Sequence, residues 1–312
     1  MADGWGDTPV ALPTELVLPR QYAPASQLNR ADVKLRGANL SGENLSRVNL
    51  SRADLSGANL ERAQLIDAQM ADINLSGAIL TSANLTAASL RRGNLLGAVL
   101  MSATLNQATL SQANLAGANL TEAELYDANL TEAELSNTML RRASLVGATL
   151  TRAHMYRVSA NGAELYGIQG HGTQLYQAQL QRCDLRQANL TEANLTEANL
   201  TGANLNQANL TSANVTGATL QAINLTWANL HHATLTAANL QQAAMDHATL
   251  TDTELTGANL KNATLAYAPT QVSRLRNVLW QQTSGQGTHF CQVVGLTRLE
   301  KAWLRSQGAI IN

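Results

Sequence analysis

From Leu40 to Leu265 every fifth residue belongs to one series of 46 centres without an insertion, and 40 of them are Leu. The others are Met70, Met155, Ala160, Gly170, Val215 and Met245, and Ala stands two places before the centre in 35 of the 46 cases. The residue between Ala and the centre is mostly Asn, Asp, Thr, Gln or Glu, as in ANLTEANLTEANLTGANLNQANL at 188–210. A helix turns about 100° per residue, so a step of five scatters the leucines around its axis and gives no amphipathic face. In a straight strand Ala and the following Leu point the same way, but the next Leu, an odd step away, points outward. The chain must therefore turn once in each pentad. Repeated turning produces a coil, and stacked coils let each Leu lie over another while backbone groups pair between layers at about 4.8 Å. Asn at the position between Ala and Leu, as in Asn189, Asn194 and Asn199, can bond its side chain to the turning backbone.

The A(N/D)LXX phase at 38–265 resembles the pentapeptide-repeat family. The resemblance implies an all-β solenoid, a right-handed quadrilateral β-helix with four pentads per coil and about 11 to 12 coils for this number of pentads. Of thirteen glycines two places after a centre, seven fall in one of the four resulting columns: Gly37, Gly57, Gly77, Gly97, Gly117, Gly217 and Gly257. One side is expected to be flatter than the rest.

The expected divisions are an N-terminal cap at 1–34, the repeat body at 35–267 and a capping extension at 268–312. TPVALPTELVLPRQY at 8–22 is apolar, rich in Pro and aperiodic, which suits a cap laid across the first coil. Glu43, at an inward position, fits a first layer that is partly wet. In the tail, 270–282 is predicted helical with Leu275 and Leu279 on its apolar side. THFCQVV is predicted extended, and Thr297 with Glu300 forms a capping box for a second helix carrying Leu299, Trp303 and Leu304. These apolar residues are expected to cap the coil and are candidates for homodimer contact. Between Val158 and Thr173 the centres Ala160 and Gly170 are small, while Val158 and Ile168 enlarge the inward partner positions. Retained phase points to altered packing or a local bulge.

Composition adds exclusions. Net charge is -1, aromatic content 4% and cysteines number two, Cys183 and Cys291, too few for a disulfide framework. Cys183 takes an inward Ala position and reads as a small buried hydrophobe. No stretch of 18 apolar residues or basic leader occurs, so a cytoplasmic protein with no membrane insertion is expected. The sequence holds no GxGxxG, P-loop, GxSxG or HExxH, so neither an enzyme nor a cofactor is expected. His231 and His232 are adjacent, but His247 lies three pentads beyond His232, so these read as surface histidines and no metal site is expected.

Two outward features are candidates for partner contact. Glu122, Glu124, Asp127, Glu132 and Glu134 lie in a stretch without Lys or Arg, whereas Arg141, Arg142, Arg152 and Arg157 follow in a stretch without acids; such a sign change can orient a partner. Tyr156 and Tyr176 are expected to stack on one side, with Tyr126 and Tyr166 opposite, as anchors for docking. The leading expectation is a non-catalytic interaction or regulatory protein presenting a rigid rod to another protein. The family resemblance supplies this as contact-only regulation, some of it in cyanobacterial cell differentiation. Its other branch, DNA mimics that protect type II topoisomerases from quinolones, is the alternative. Its coils hold only 17 acids against 13 bases, whereas duplex DNA brings one negative charge per about 1.7 Å. A structural spacer is a third reading. Direct nucleic-acid binding is disfavoured because the rod is slightly acidic.

Overall fold

In each pentad the amide of the central residue donates to the backbone of the next layer: Leu35 N to Asp54 O at 2.7 Å, with Asp54 N returning to Val33 O at 2.9 Å. The computed structural model describes residues 31–266, 286–287, 289–291 and 296–311. Its isolated bridges, from Lys34 with Asp54 to Ala244 with Thr264, are all parallel and all join residues twenty apart. Four pentads thus separate each residue from the one stacked on it.

The turn that the period demands lies just after the centre. Ala38 N donates to Leu35 O at 3.0 Å, and the residue two after the centre is left-handed: φ is 63° at Gly37 and 57° at Ala87. With the i to i+3 bond, this is the type II arrangement, whose third residue requires positive φ. Gly37 N donates to Ser56 O at 2.9 Å. The remaining amide, one after the centre, is taken by the Asn side chain, as Ser46 N to Asn44 Oδ1 at 3.1 Å and Thr201 N to Asn199 Oδ1 at 3.1 Å. Where Thr follows, its hydroxyl often donates to that oxygen as well, at 2.7 Å for Thr201. A pentad with Asn before its centre therefore leaves no backbone donor unpaired.

The central leucines and their Ala partners form one dry column. Exceptions compensate between layers. A Cβ on Gly93 would lie 3.3 Å from Ile73 Cγ2, and one on Gly170 would lie 3.1 Å from Leu190 Cδ2, so a larger residue one coil away fills the space that each glycine leaves. Val158 and Ile168 are buried, and the bridges of Ser159 with Gln179 and Gln169 with Asn189 keep the register. The irregular middle is thus altered packing without an inserted residue. Four small polar side chains at inward positions each donate to the carbonyl of a central residue in the previous coil: Thr138 to Leu115, Thr173 to Leu150, Cys183 to Ala160 and Thr253 to Leu230. Around Val215, between Leu195 and Leu235, an apolar void of about 10 Å³ remains.

Glu43 is half-buried, as are Val33 and Ala38 in the same first layer. At the other end the ladder continues into the tail: β1 (Thr264–Ala266) pairs in parallel with β2 (His289–Cys291), and β2 with β3 (Ile310–Ile311). Phe290 stands opposite Leu265 and is fully buried, taking the place of the next central Leu. The helix α1 (Arg298–Ser306) has the expected capping box, with Glu300 N donating to Thr297 Oγ1 at 3.2 Å and Thr297 N to Glu300 Oε2 at 2.6 Å. It buries Leu304 and packs Trp303 against the core, whereas Leu299 is 83% exposed. The predicted helix with Leu275 and Leu279, and the cap up to residue 30, lie outside the described residues.

Left-handed strain gives a direct test at Ala222, whose φ is 54°. Relief of about 1–2 kcal/mol for a non-glycine residue exceeds the chain-entropy loss of about 0.4–1 kcal/mol. Ala222→Gly is expected to raise the unfolding free energy measured in urea by up to about 1 kcal/mol, and Ala222→Val to lower it; a loss with Gly would contradict the assignment.

Candidate functional site

The rigid ladder fixes the direction of every outward side chain, so surface sites are built from columns of residues twenty apart. Tyr156 and Tyr176 share one column; Tyr126 and Tyr166, two pentads away in the four-pentad turn, share another on the opposite side. Tyr126, Tyr156 and Tyr166 are 36–38% exposed, and Tyr176 is half-buried. Several are engaged with the chain itself. Tyr156 stacks on His154 with centroids 5.7 Å apart, Arg186 lies 5.6 Å over the Tyr166 ring, and the Tyr176 hydroxyl donates to Glu197 at 3.3 Å. The tyrosines therefore form two separate pairs, of which Tyr166 and Tyr176 make side-chain contacts to the next coil and Tyr156 a ring contact within its own.

The change of sign in the midsection also has an internal partner set. Arg142 reaches Glu122 at 3.7 Å and His154 reaches Glu134 at 3.3 Å, each across one coil. Gln112 donates to Glu132 at 2.9 Å, Asn106 to Glu124 at 3.2 Å and Arg157 to Gln177 at 2.8 Å. Asp127 backs onto Gly147 in the next coil, and Arg141 and Arg152 are exposed. Elsewhere Arg52 and Arg92 hold Asp32 and Asp72 in two-pronged pairs at 2.7–2.8 Å, and these hydrogen bonds hold both carboxyls below their usual range. At Glu134 burial opposes ionisation, but hydrogen bonds from Ser136 and His154 outweigh it and the carboxyl is lowered.

A different surface emerges from the twenty-residue register. Ile79, Leu96, Met101 and Met139 are 40–49% exposed. Ile79 pairs with Val99, Val99 with Asn119 and Asn119 with Met139, so Ile79 and Met139 share one column with half-buried Val99, Asn119 standing between Val99 and Met139, while Leu96 and Met101 flank Val99 within its coil. Beside this column run Gly77, Gly97 and Gly117, where a Cβ would meet nothing within 4 Å. Positive φ is shared by all four columns, so the turn alone does not require glycine to collect in this one. The result is a bare strip bordered by exposed aliphatic and thioether groups. The signal was present in the sequence as large apolar residues at otherwise polar outward positions; only alignment at twenty residues gathers them.

The histidines also regroup. His247 stacks on Trp227 at 4.1 Å, whereas His231 and His232 are joined by Asp252 from the next coil, with one ligand atom of each lying within 4.8 Å of the others. No second such group of potential metal ligands is assembled among the described residues. Cys183 is buried, and loss of solvation pushes its thiol up to about 12. No helix of the described residues is long and apolar enough to cross a membrane.

A family model described as pentapeptide repeats matches overlapping stretches that span 31–168, 188–226 and 228–265. Among solved structures, HetL, a pentapeptide repeat protein involved in heterocyst differentiation regulation from the cyanobacterium Nostoc sp. strain PCC 7120, is 28% identical, with 80% of this chain and 89% of that chain covered and a TM-score of 0.26. QnrB1, a plasmid-mediated fluoroquinolone resistance protein, is 18% identical over 68% of this chain and 90% of its own, with a TM-score of 0.31. Rfr23, from the cyanobacterium Cyanothece 51142, is 28% identical over 41% of this chain and 84% of its own, with a TM-score of 0.19. No curated protein matches the chain.

The raised thiol sets a test. In a Cys291→Ser background at pH 8, Cys183 of the native protein should react with a disulfide reagent about a thousandfold more slowly than in urea, as its thiolate fraction dictates. Equal rates would contradict its burial.

Proposed function

The chain belongs to the pentapeptide-repeat family, and from that premise we propose that it is a non-catalytic regulator that acts by contact, offering a preformed surface to another protein. The apolar column of Ile79, Val99 and Met139, flanked by Leu96 and Met101 and by the bare glycines, is the observation that carries this reading. A flat strip admits close approach of a partner's own apolar face, and its groups are already ordered, so association loses little conformational freedom. Tyr126, Tyr156, Tyr166 and Tyr176 and the charged residues of the midsection serve as orienting contacts around it. The body is a right-handed quadrilateral β-helix of about 11 to 12 coils over 35–267, continued at its C-terminal end by β2, β3 and α1. The protein works in the cytoplasm, and exposed Leu299 leaves a homodimer through the tail as its assembly route.

A second reading, a topoisomerase-directed DNA mimic, draws support from one feature: residues 187–260 contain Glu192, Glu197, Asp246, Asp252 and Glu254 and no Lys or Arg. Quinolone resistance is the description carried by QnrB1. The cross-coil pairing of acids with Arg47, Arg52, Arg92 and Arg142 weighs against mimicry over the rest of the rod.

Two variants separate the surfaces. Ile79→Ser with Leu96→Ser and Met101→Gln should leave the far-UV spectrum unchanged, since exposed substitutions typically alter stability by only about 0.5 kcal/mol. It should reduce quantitative affinity capture of the partner from the source cell at least tenfold, whereas replacing Tyr156, Tyr166 and Tyr176 by Ser should reduce it less. Equal capture by the apolar variant and the unaltered protein would remove the strip as the site. Inhibition or protection of gyrase supercoiling at micromolar protein would favour the second reading.

A further inference from the structure

His231, His232 and Asp252 form a cluster for which the repeat has no structural requirement. His231 and His232 occupy the two turn positions after Leu230, and Asp252 occupies the second turn position after Leu250, one coil on. Left-handed φ values of 57° at His232 and 55° at Asp252 aim the two side chains from equivalent sites of stacked turns, at the inter-strand spacing of about 4.8 Å. The imidazole rings lie 3.9 Å apart, tilted by 44°. One nitrogen of each ring and a carboxylate oxygen all fall within 4.8 Å of one another.

A second observation concerns the proton on His231. Its Nδ1 lies 3.1 Å from the backbone carbonyl of Thr251. A carbonyl oxygen only accepts, so Nδ1 carries the hydrogen and Nε2 is left with the lone pair in the neutral ring. Ligating histidines are commonly set in this way, one nitrogen donating to a backbone carbonyl while the other binds the metal. The same carbonyl accepts the His232 amide at 3.1 Å, tying both histidines to the coil that supplies Asp252.

We propose that His231, through Nε2, with His232 and Asp252 binds a divalent transition metal ion, of which zinc is the representative, as a clip across two successive coils. Two imidazoles and one carboxylate suit a borderline cation, and the carboxylate lowers the charge of the complex. Tetrahedral ligands at about 2.0–2.1 Å from zinc stand about 3.4 Å apart, so closing the site takes rotation of these surface side chains. Half-buried His231 and Asp252 and exposed His232 leave the fourth position open to water or to a ligand from a partner. The inference is independent of the apolar strip, which lies several coils away.

The test is calorimetric titration of chelator-treated, untagged full-length protein with zinc chloride at pH 7.5. One ion per chain is expected, with a dissociation constant on the order of micromolar, and the unfolding temperature rises with zinc by mass action. His232→Ala and Asp252→Asn should each weaken binding by at least about tenfold, the order of loss common for altered metal sites, whereas His171→Ala should not. Cobalt should give the visible absorption of a tetrahedral complex in the unaltered protein alone. Because these side chains are at the surface, far-UV spectra of the variants should match. No binding by the unaltered protein, or equal binding by His232→Ala, overturns the proposal.

Discussion

A left-handed residue at every fifth position is the constraint on which the structure rests. Among the described residues, 34 non-glycine residues adopt φ of 52–64°, a region that costs an L-residue about 1–2 kcal/mol. Burial of one Leu contributes about 1.5–3 kcal/mol, so a pentad can hold this strain only if its leucine goes fully into the column. The hydrogen bonds act in the same direction. The strained residue donates to the next coil, its successor closes the turn, and the Asn before the centre accepts the amide that would otherwise be left over. Turn, ladder and core are therefore one device, and none of the three is stable alone.

This explains what could be read from the chain. The fivefold phase of Leu and Ala dictated inward and outward positions, and Asn bonding to the turn followed from its place between them. The left-handed position carries its own mark in the sequence. Two places after the centre, from 37 to 262, there is no Val, Ile, Thr or Pro, while Thr is frequent one place after it. β-Branched residues are the ones least compatible with positive φ, so their segregation marks the second turn residue. Glycines at that position satisfy the backbone, but their concentration in one column concerns the outer surface.

What escaped was contact between residues twenty or twenty-one apart. His247 is set apart from His231 and His232 and stacks on Trp227, and the carboxylate that meets the two, Asp252, carries no local motif. The acids and arginines of the midsection read as separate blocks, yet Glu122 and Arg142 are neighbours across one coil. In α1 the pairing of Leu299 with Leu304 was too generous: five residues rotate a helix by about 140°, so a face that buries Leu304 turns Leu299 to solvent. Trp303, four residues from Leu299, lies between these extremes and is half-buried.

Where function can reside follows from the same construction. The column of leucines is nearly uniform, and its exceptions are satisfied internally, by a larger neighbour at Gly93 and Gly170 and by a carbonyl at Thr138, Thr173, Cys183 and Thr253. Four arginines, Arg47, Arg52, Arg92 and Arg142, are likewise paired from coil to coil at exposed positions, where such pairs add little stability but reduce the field available to steer a partner. Ile79, Leu96, Met101 and Met139 remain substantially exposed in a scaffold that could place Asn or Thr there without altering the core. Since desolvation of apolar surface supplies affinity while paired charges supply mainly orientation, the strip is the part of this surface best suited to holding a second protein.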